Sequence, residues 1–334
     1  MKTNLLPGLF AILMLLSCNR TDELKEVKLG GMAQGTYYAI TYYDKEGRNF
    51  QSEIDSFFVA FDRSASWYLD ESVISRFNNN DTSAIADEAF TYVFNKAQEI
   101  SAITNGAFDI TTLPLTNAWG FTITDPQKLS QAQVDSILPL INYRNVSLED
   151  GRLIKANPGI KIDFNAIAQG YSSDLIGKIL ESKGITNYLI DVGGEVLGKG
   201  NKPGGNDWRV GIERPAEDGD EARKVDIIIR LKNKALASSG NYRKFFIRDG
   251  IKYAHIVDPA TGYPVTHSLL SASVLADDAI SADAYATAFM VMGVDKVKEF
   301  LKEHPELEVH LIYSDEKGHM QTWTSPGLLQ LVVE

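Results

Sequence analysis

Asp283 and Thr287 stand four residues apart in Ser281-Ala282-Asp283-Ala284-Tyr285-Ala286-Thr287, a run of good helix formers. In a helix that spacing puts a carboxylate and a hydroxyl on one face, with Cβ atoms about 5–6 Å apart. Both are hard oxygen donors of the kind Mg²⁺ takes, an ion usually shared between one or two protein carboxylates and substrate phosphates. The pair suits a plain helix equally well, because a negative charge in the first turn complements the dipole and a threonine hydroxyl can face the core. Upstream lie His255-Ile256-Val257-Asp258-Pro259 and Thr261-Gly262-Tyr263-Pro264. His255 could shuttle a proton near an attacking hydroxyl, or stand at a strand end and satisfy Asp258. Asp163 follows Ile162 at an expected strand end before a helix, where it could hold the helix N-terminus or touch a ligand. Gly193-Gly194 lacks side chains over two positions, which lets a ligand lie against the backbone or merely permits a turn.

The elements that must position these groups follow from periodicity. Residues 26–43 read as a hairpin around Gly30-Gly31 and Gly35, and Ile54, Phe57, Phe58 and Phe61 have helical spacing that leads into a loop over 64–71. A second amphipathic helix carries Phe90, Val93, Phe94, Ala97 and Ile100 and stops at Asn105-Gly106; a loop then runs from Ala107 to Phe121. A short helix over 131–138 has Ser130 and Gln133 at capping-box spacing and Pro139 as its stop. Asp150-Gly151 reads as a hairpin turn whose second strand carries Ile160 and Ile162. A long helix is expected over 166–183, with Ile167, Tyr171, Leu175 and Ile179 on one stripe and Gly184 ending it. Strands are expected at 188–192, 208–213, 225–231, 245–247 and 253–257, with Asp249-Gly250 turning the last pair. Helices over 281–292 and 294–303 precede closing strands at 307–313 and 328–333. Strand pairs with interspersed helices indicate the α+β class, and the absence of repeats or a Pro/Gly-rich linker indicates one compact catalytic unit over 26–334.

At 334 residues the chain has ample apolar content for a core. Its net charge of −11 argues against nucleic acid as a partner and provides no polybasic membrane patch. A phosphate ligand would therefore need a metal, helix N-termini or backbone amides to offset its charge. Neither G-x-G-x-x-G nor G-x-x-x-x-G-K-[ST] occurs, and no His/Cys group has zinc-ligand spacing. Residues 1–18 read as a signal peptide: Lys2 gives a basic start, and the apolar run over 5–16 is too short for a comfortable span. The only cysteine, Cys18, follows Leu15-Leu16-Ser17, which resembles a bacterial lipobox, and residues 19–25 would tether the domain to a lipid anchor on Cys18.

Several further stretches carry a family resemblance. They are residues 161–171 from Lys161 to Tyr171, Asp191-Val192-Gly193-Gly194-Glu195, residues 255–264, residues 281–287, Ser72 to Asn78, Gly106-Ala107-Phe108-Asp109, and Asn117-Ala118-Trp119-Gly120-Phe121. Taken in chain order they resemble the ApbE family of FAD:protein FMN transferases, and the likeness covers nearly everything after the tether. It implies an ApbE-like α+β fold with largely antiparallel sheets and interspersed helices. It also implies a Mg²⁺-dependent split of the FAD pyrophosphate, with FMN passed through a phosphoester to a Thr of a target protein and AMP released. Carried over, Asp283, Thr287 and the backbone carbonyl of Ala166 would hold the metal. Gln34, Tyr68, Ala107, Phe108, Asp109, Asp163, Gln169 and Val265 would contact FAD, and His255 would be the candidate acid or base. Gln169 and Gln34 depart from the family pattern, where many members carry Lys or Glu and several carry Met, respectively.

Family members are periplasmic or membrane-tethered, often as lipoproteins, which agrees with Cys18 and implies a place in the bacterial cell envelope facing the periplasm or exterior. A FAD pyrophosphatase on the same site and a non-catalytic flavin-binding lipoprotein are the competing readings. Tyr68 favours transfer over hydrolysis, and the joint presence of Asp283, Thr287 and His255 argues for chemistry over storage.

Overall fold

The computed structural model describes residues 23–122, 127–215, 224–241, 245–248 and 251–333. The leader, Cys18, residues 19–22 of the tether and the Asp249-Gly250 turn lie outside the described residues. β1 (Lys25–Ala33) and β2 (Thr36–Asp44) form the expected hairpin, turned at Gln34-Gly35 with φ of 51° and 72°. α1 (Gln51–Ala65), α2 (Val73–Asn78) and α3 (Glu88–Ile103) follow, with the Ser72 and Asp87 side chains capping the second and third. The stretch expected to be loop contains α4 (Leu113–Trp119), which has Pro114 in its first turn and is stopped by Gly120 in the left-handed conformation. α5 (Gln131–Ile137) begins at the Ser130–Gln133 capping box.

β3 (Val146–Glu149) and β4 (Arg152–Lys155) flank Asp150-Gly151 as expected, but the second strand does not reach Ile160 and Ile162. Those residues lie in non-strand backbone, where the Asn78 side-chain amide bonds both backbone groups of Ile162 in place of a strand partner. α6 (Ala168–Ser182) starts two residues later than its periodicity suggests. The remaining elements are β5 (Tyr188–Val192), β6 (Glu195–Lys199), β7 (Trp208–Arg214), β8 (Lys224–Leu231), β9 (Lys234–Gly240), β10 (Phe245–Arg248), β11 (Ile251–Ala254), β12 (Leu269–Ala276), α7 (Ala279–Met292), α8 (Val294–Glu303), β13 (Glu308–Ser314), β14 (Met320–Thr324) and α9 (Pro326–Leu329). The strand expected at 253–257 ends at Ala254, and the closing strand expected at 328–333 is replaced by α9, which has Pro326 in its first turn, and a lone bridge from Val332 to Ile229.

Among the described residues, eight strands form one sheet in the order β1-β2-β5-β6-β9-β12-β13-β14, and all the neighbours are antiparallel. The fold is therefore α+β with a largely antiparallel sheet, as the sequence implies. The period-2 alternation of strands sorts the sheet into two faces. Leu197, Ala235, Ala237, Val274 and Ala276 belong to the main core, with α1, α3, α6 and α7. Their neighbours in sequence, Val196, Leu236 and Leu275, join a second core beneath Trp208, Ile212, Ile229 and Leu231 of the β7–β8 ribbon. Small side chains on the first face let α7 lie close to the sheet. That helix is buried nearly all round, from Ala279 to Met290, and the site residues it carries are fixed by packing on several sides.

Candidate active site

The segment before α6 is shaped by side chains bonding to backbone. Asp163 N–H donates to the Ile110 carbonyl at 2.8 Å, and Asp163 Oδ1 accepts from Asn165 N–H at 2.8 Å, an Asx turn that swings the chain toward the helix. Asn165 Nδ2 lies 3.5 Å from the Tyr68 hydroxyl, and the Tyr68 ring stacks on Trp67 with centroids 4.0 Å apart. Asp163 and Tyr68 thus come together at one end of α6, with Tyr68 largely exposed. Burial pushes the Asp163 carboxyl up to about 6, against the hydrogen bonds that favour its charge. The Tyr68 phenol is also raised, first by burial and then by the charge of Asp163.

The Ile110 contact brings the segment carrying Ala107, Phe108 and Asp109 alongside. Phe108 is buried and Ala107 half-buried. Asp109 Oδ1 accepts from both the N–H and the hydroxyl of Thr111, each at 2.7 Å, and Oδ2 accepts from Tyr143 N–H at 2.8 Å. Both oxygens therefore shape the loop, and burial raises this carboxyl despite those bonds.

On the other side of α6 lies α7. Asp283 is buried, and its Oδ2 accepts from Gly170 N–H at 3.0 Å. In a helix continued backward, that N–H would reach the carbonyl of Ala166; here it goes to Asp283, and the Ala166 carbonyl is left outside the helical ladder. Gly170 is required by proximity, since a Cβ there would lie 2.2 Å from the Ala279 carbonyl oxygen. Thr287, one turn beyond Asp283, has its hydroxyl 3.2 Å from that of Ser239 on β9. Burial, with the nearby charge of Asp174 adding to it, raises the Asp283 carboxyl. Among the described residues no group of three His, Cys, Asp or Glu side chains forms a metal cluster. The three expected donors are one carboxylate, one hydroxyl and one carbonyl, all hard oxygens. A buried carboxylate with one hydrogen bond among the described residues, and a carbonyl outside the ladder of the helix it contacts, fit a Mg²⁺ site in their chemistry.

The hairpin tip and the β5–β6 turn close the same end of α6. Gln34 Nε2 donates to Ser172 Oγ on α6 at 2.9 Å, and Gln34 Oε1 is buried without a donor among the described residues. Gln169 Nε2 lies 3.4 Å from where a Cβ on Gly193 would sit, and Gly193 N–H donates to the Tyr37 carbonyl at 3.0 Å. Glycine at 193 lets backbone, α6 and the hairpin meet without a side chain between them.

His255 is half-buried and follows directly on β11. Residues 256–265 then close on themselves: Val265 N–H donates to the Ile256 carbonyl at 3.0 Å and Asp258 N–H to the Tyr263 carbonyl at 2.9 Å. Asp258 Oδ1 accepts from Ala260 N–H at 2.8 Å, so this carboxylate caps its own turn. Trp119 Nε1 donates to the Gly262 carbonyl at 2.9 Å, which ties the His255 loop to α4 and so to the Phe108 segment. The buried Val265 sits at the end of this hairpin.

Three contributors are not singled out in the sequence: Asp174, Ser239 and Trp67. Asp174 stands four residues after Gly170, the same helical spacing that draws attention to Asp283 and Thr287, and this could have marked it. Ser239 lies in a strand of small residues that carries no strand signal, and Trp67 lies in a loop.

These residues are spread from Gln34 to Thr287, and a family model described as the ApbE family matches residues 34–311. A FAD:protein FMN transferase of Vibrio cholerae is 34% identical over 302 residues, covering 88% of this chain and 89% of that relative. One of Haemophilus influenzae is 33% identical over 332 residues, covering 94% of each. Among solved structures, the flavin transferase ApbE from Vibrio cholerae superposes with a TM-score of 0.82 at 29% identity, covering 92% of this chain and 100% of that one. The ApbE protein of Thermotoga maritima gives 0.81 at 29%, covering 93% and 100%. A family match that spans the clustered residues, on a fold shared end to end, leaves one conclusion: the chain belongs to the ApbE family.

Proposed function

We propose that this chain is a Mg²⁺-dependent FAD:protein FMN transferase, which attaches FMN through a phosphoester to a Thr of a target protein and releases AMP. The observation that carries the reading is the Gly170–Asp283 contact, which brings a buried carboxylate to the first turn of α6, while Asn165, just before that helix, bonds Asp163 and Tyr68. The relatives named for this activity support it.

In the reaction an acceptor hydroxyl oxygen forms a bond to the phosphorus of the FMN half, the bridging P–O bond breaks, and AMP carries away the bridging oxygen. When bound by Asp283, Thr287 and the Ala166 carbonyl, Mg²⁺ supplies charge neutralisation at the pyrophosphate, which a chain of net charge −11 does not otherwise provide. Tyr68 offers an aromatic face for a flavin or adenine ring, while Gln34, Gln169, Asp163 and the loop of Ala107, Phe108 and Asp109 bind and orient the nucleotide, with Val265 at its margin. His255 takes the proton of the acceptor hydroxyl, since an imidazole with a pKa near the working pH suits a nucleophile that is almost fully protonated. A lipid on Cys18 would hold the domain at a membrane of the bacterial cell envelope, facing the periplasm or exterior; the leader sequence supports this.

Asp283→Ala tests the reading. Transfer should fall on the order of 10²–10³-fold, while FAD binding weakens less, because the lost charge matters most in the transition state. Near-native activity of this variant at low Mg²⁺ would leave Asp283 as a helix residue only.

A further inference from the structure

α6 and α7 are pinned by two carboxylates that point in opposite senses. Asp283 on α7 accepts from Gly170 N–H in the first turn of α6. Asp174 on α6 takes the first turn of α7: its Oδ1 accepts from Ala279 N–H at 2.8 Å and its Oδ2 from Ile280 N–H at 2.9 Å. Gly170 and Asp174 are four apart on one helix, as are Ala279 and Asp283 on the other, so the helices run antiparallel across the contact. The four N-terminal N–H groups of α7 are all satisfied: two by Asp174, that of Ser281 by the Asp278 side chain at 2.9 Å, and that of Ala282 by the Asp278 carbonyl at 3.2 Å. Asp278 caps α7 within its own chain segment, whereas Asp174 ties the helix to α6. A carboxylate that holds two adjacent N–H groups fixes both the rotation of α7 about its axis and its height along α6.

We propose that Asp174 is a positioning residue for the metal site, locking the first turn of α7 to α6 so that Asp283 and Thr287 are presented beside the turn of Ala166. This rests on the reading of those three residues as a Mg²⁺ site. Asp174 itself bonds neither Asp283 nor Thr287; it acts through the backbone of the helix that carries them. Asparagine at 174 would keep one acceptor and turn an NH₂ toward the other N–H, releasing one of the two bonds.

The test uses the full-length protein and Mn²⁺ as the probe, with Mn²⁺ affinity from calorimetry, melting temperature, and the Mg²⁺ concentration giving half-maximal FMN transfer. Asp174→Asn should weaken Mn²⁺ on the order of 10–100-fold, the range for groups that orient metal ligands without touching the ion. Half-saturation by Mg²⁺ should move in parallel, with kcat at saturating Mg²⁺ largely recovered. Ser325→Ala is the stability control: Ser325 Oγ accepts from Val309 N–H at 2.8 Å at the far edge of the sheet, and this variant should lose melting temperature while keeping wild-type Mn²⁺ affinity. Wild-type Mn²⁺ affinity in Asp174→Asn, whatever its melting temperature, would overturn the positioning role alone. A wild-type protein that binds no Mn²⁺ would overturn the metal reading and this role with it. Should Asp174→Asn not fold, Asp174→Glu, which keeps both acceptors but displaces them by a methylene, is judged by the same Mn²⁺ criterion.

Discussion

Gly170→Ala sets two effects against each other at the point where α6 meets α7. Helix propensity favours alanine by about 0.5–1 kcal/mol over glycine in a helix interior. The neighbours oppose it: the new Cβ would sit 2.2 Å from the Ala279 carbonyl oxygen, 2.7 Å from its carbon and 2.8 Å from Asp283 Cβ. These atoms belong to the α7 backbone and to the root of a buried side chain, so no rotamer change relieves them. Opening 2.2 Å to a contact of about 3.4 Å requires α7 to retreat by about 1.2 Å. Overpacking of this kind costs about 1–3 kcal/mol, which offsets or exceeds the propensity gain and leaves a net loss of about 0–2.5 kcal/mol. In a chain of 334 residues, with an unfolding entropy of about 0.7 kcal/mol/K, that lowers the melting temperature by at most roughly 4 °C. The retreat also takes Asp283 away from the turn of Ala166, and a displacement of about 1 Å at a reacting centre can cost about 10²-fold in rate. Gly177→Ala in the same helix is the matched comparison. Its Cβ would meet the Tyr188 hydroxyl at 2.7 Å and Leu197 Cδ2 at 3.0 Å, side-chain atoms of β5 and β6 and not the backbone of α7. Melting curves and single-turnover FMN transfer on both variants decide the matter. If Gly170→Ala matches Gly177→Ala in stability and rate, the close approach of α6 and α7 does not govern the site.

His255→Asn should keep the fold and FAD affinity but lose FMN transfer by roughly 10²–10⁴-fold; a destabilised but fully active variant would remove His255 from the chemistry. His310 is buried, with Nε2 3.0 Å from Asp226 Oδ2 and Nδ1 2.8 Å from Thr324 Oγ1, and burial holds its imidazole below the usual pKa, against the pull of Asp226. A ring whose pKa is lower in the folded than in the unfolded state contributes stability above the ordinary histidine pKa and loses it as pH falls below. The melting temperature should therefore drop more steeply from pH 7 to pH 5 in wild type than in His310→Gln, and parallel curves would contradict this. Cys18→Ala should abolish acylation of the mature N-terminus, and an acylated variant by mass spectrometry would refute the lipobox reading.

Part of the candidate site is legible in local pattern: Asp283 and Thr287 share a helical spacing, and Asp163 announces a turn before a helix, whereas Gln34, Tyr68, Ala107, Phe108, Asp109, Gln169 and Val265 enter only through the family resemblance. What the sequence does not show is the cross-chain bonding. α6 begins at Ala168 and not at Ala166 because the N–H that would extend it backward is drawn to a carboxylate 113 residues away. Ile160 and Ile162 look like strand residues, but the partner of Ile162 is the Asn78 amide, which no local rule anticipates. β9 and β12 give little sign of themselves in the sequence for a different reason. Their small residues, as in Ala235, Ala237, Ser238 and Ser239, carry little strand propensity and are selected by the close packing of α7. α4 and α9 hold Pro114 and Pro326 in their first turns, where proline fits a helix as well as it stops one elsewhere.

The most direct measurement incubates full-length protein with FAD, Mg²⁺ and a Thr-containing acceptor protein, then quantifies AMP and acceptor-bound flavin in the same samples. The account predicts that AMP and bound flavin appear in equimolar amounts and that both are lost when EDTA removes Mg²⁺. Free FMN with AMP and no bound flavin, or bound flavin undiminished by EDTA, would contradict it.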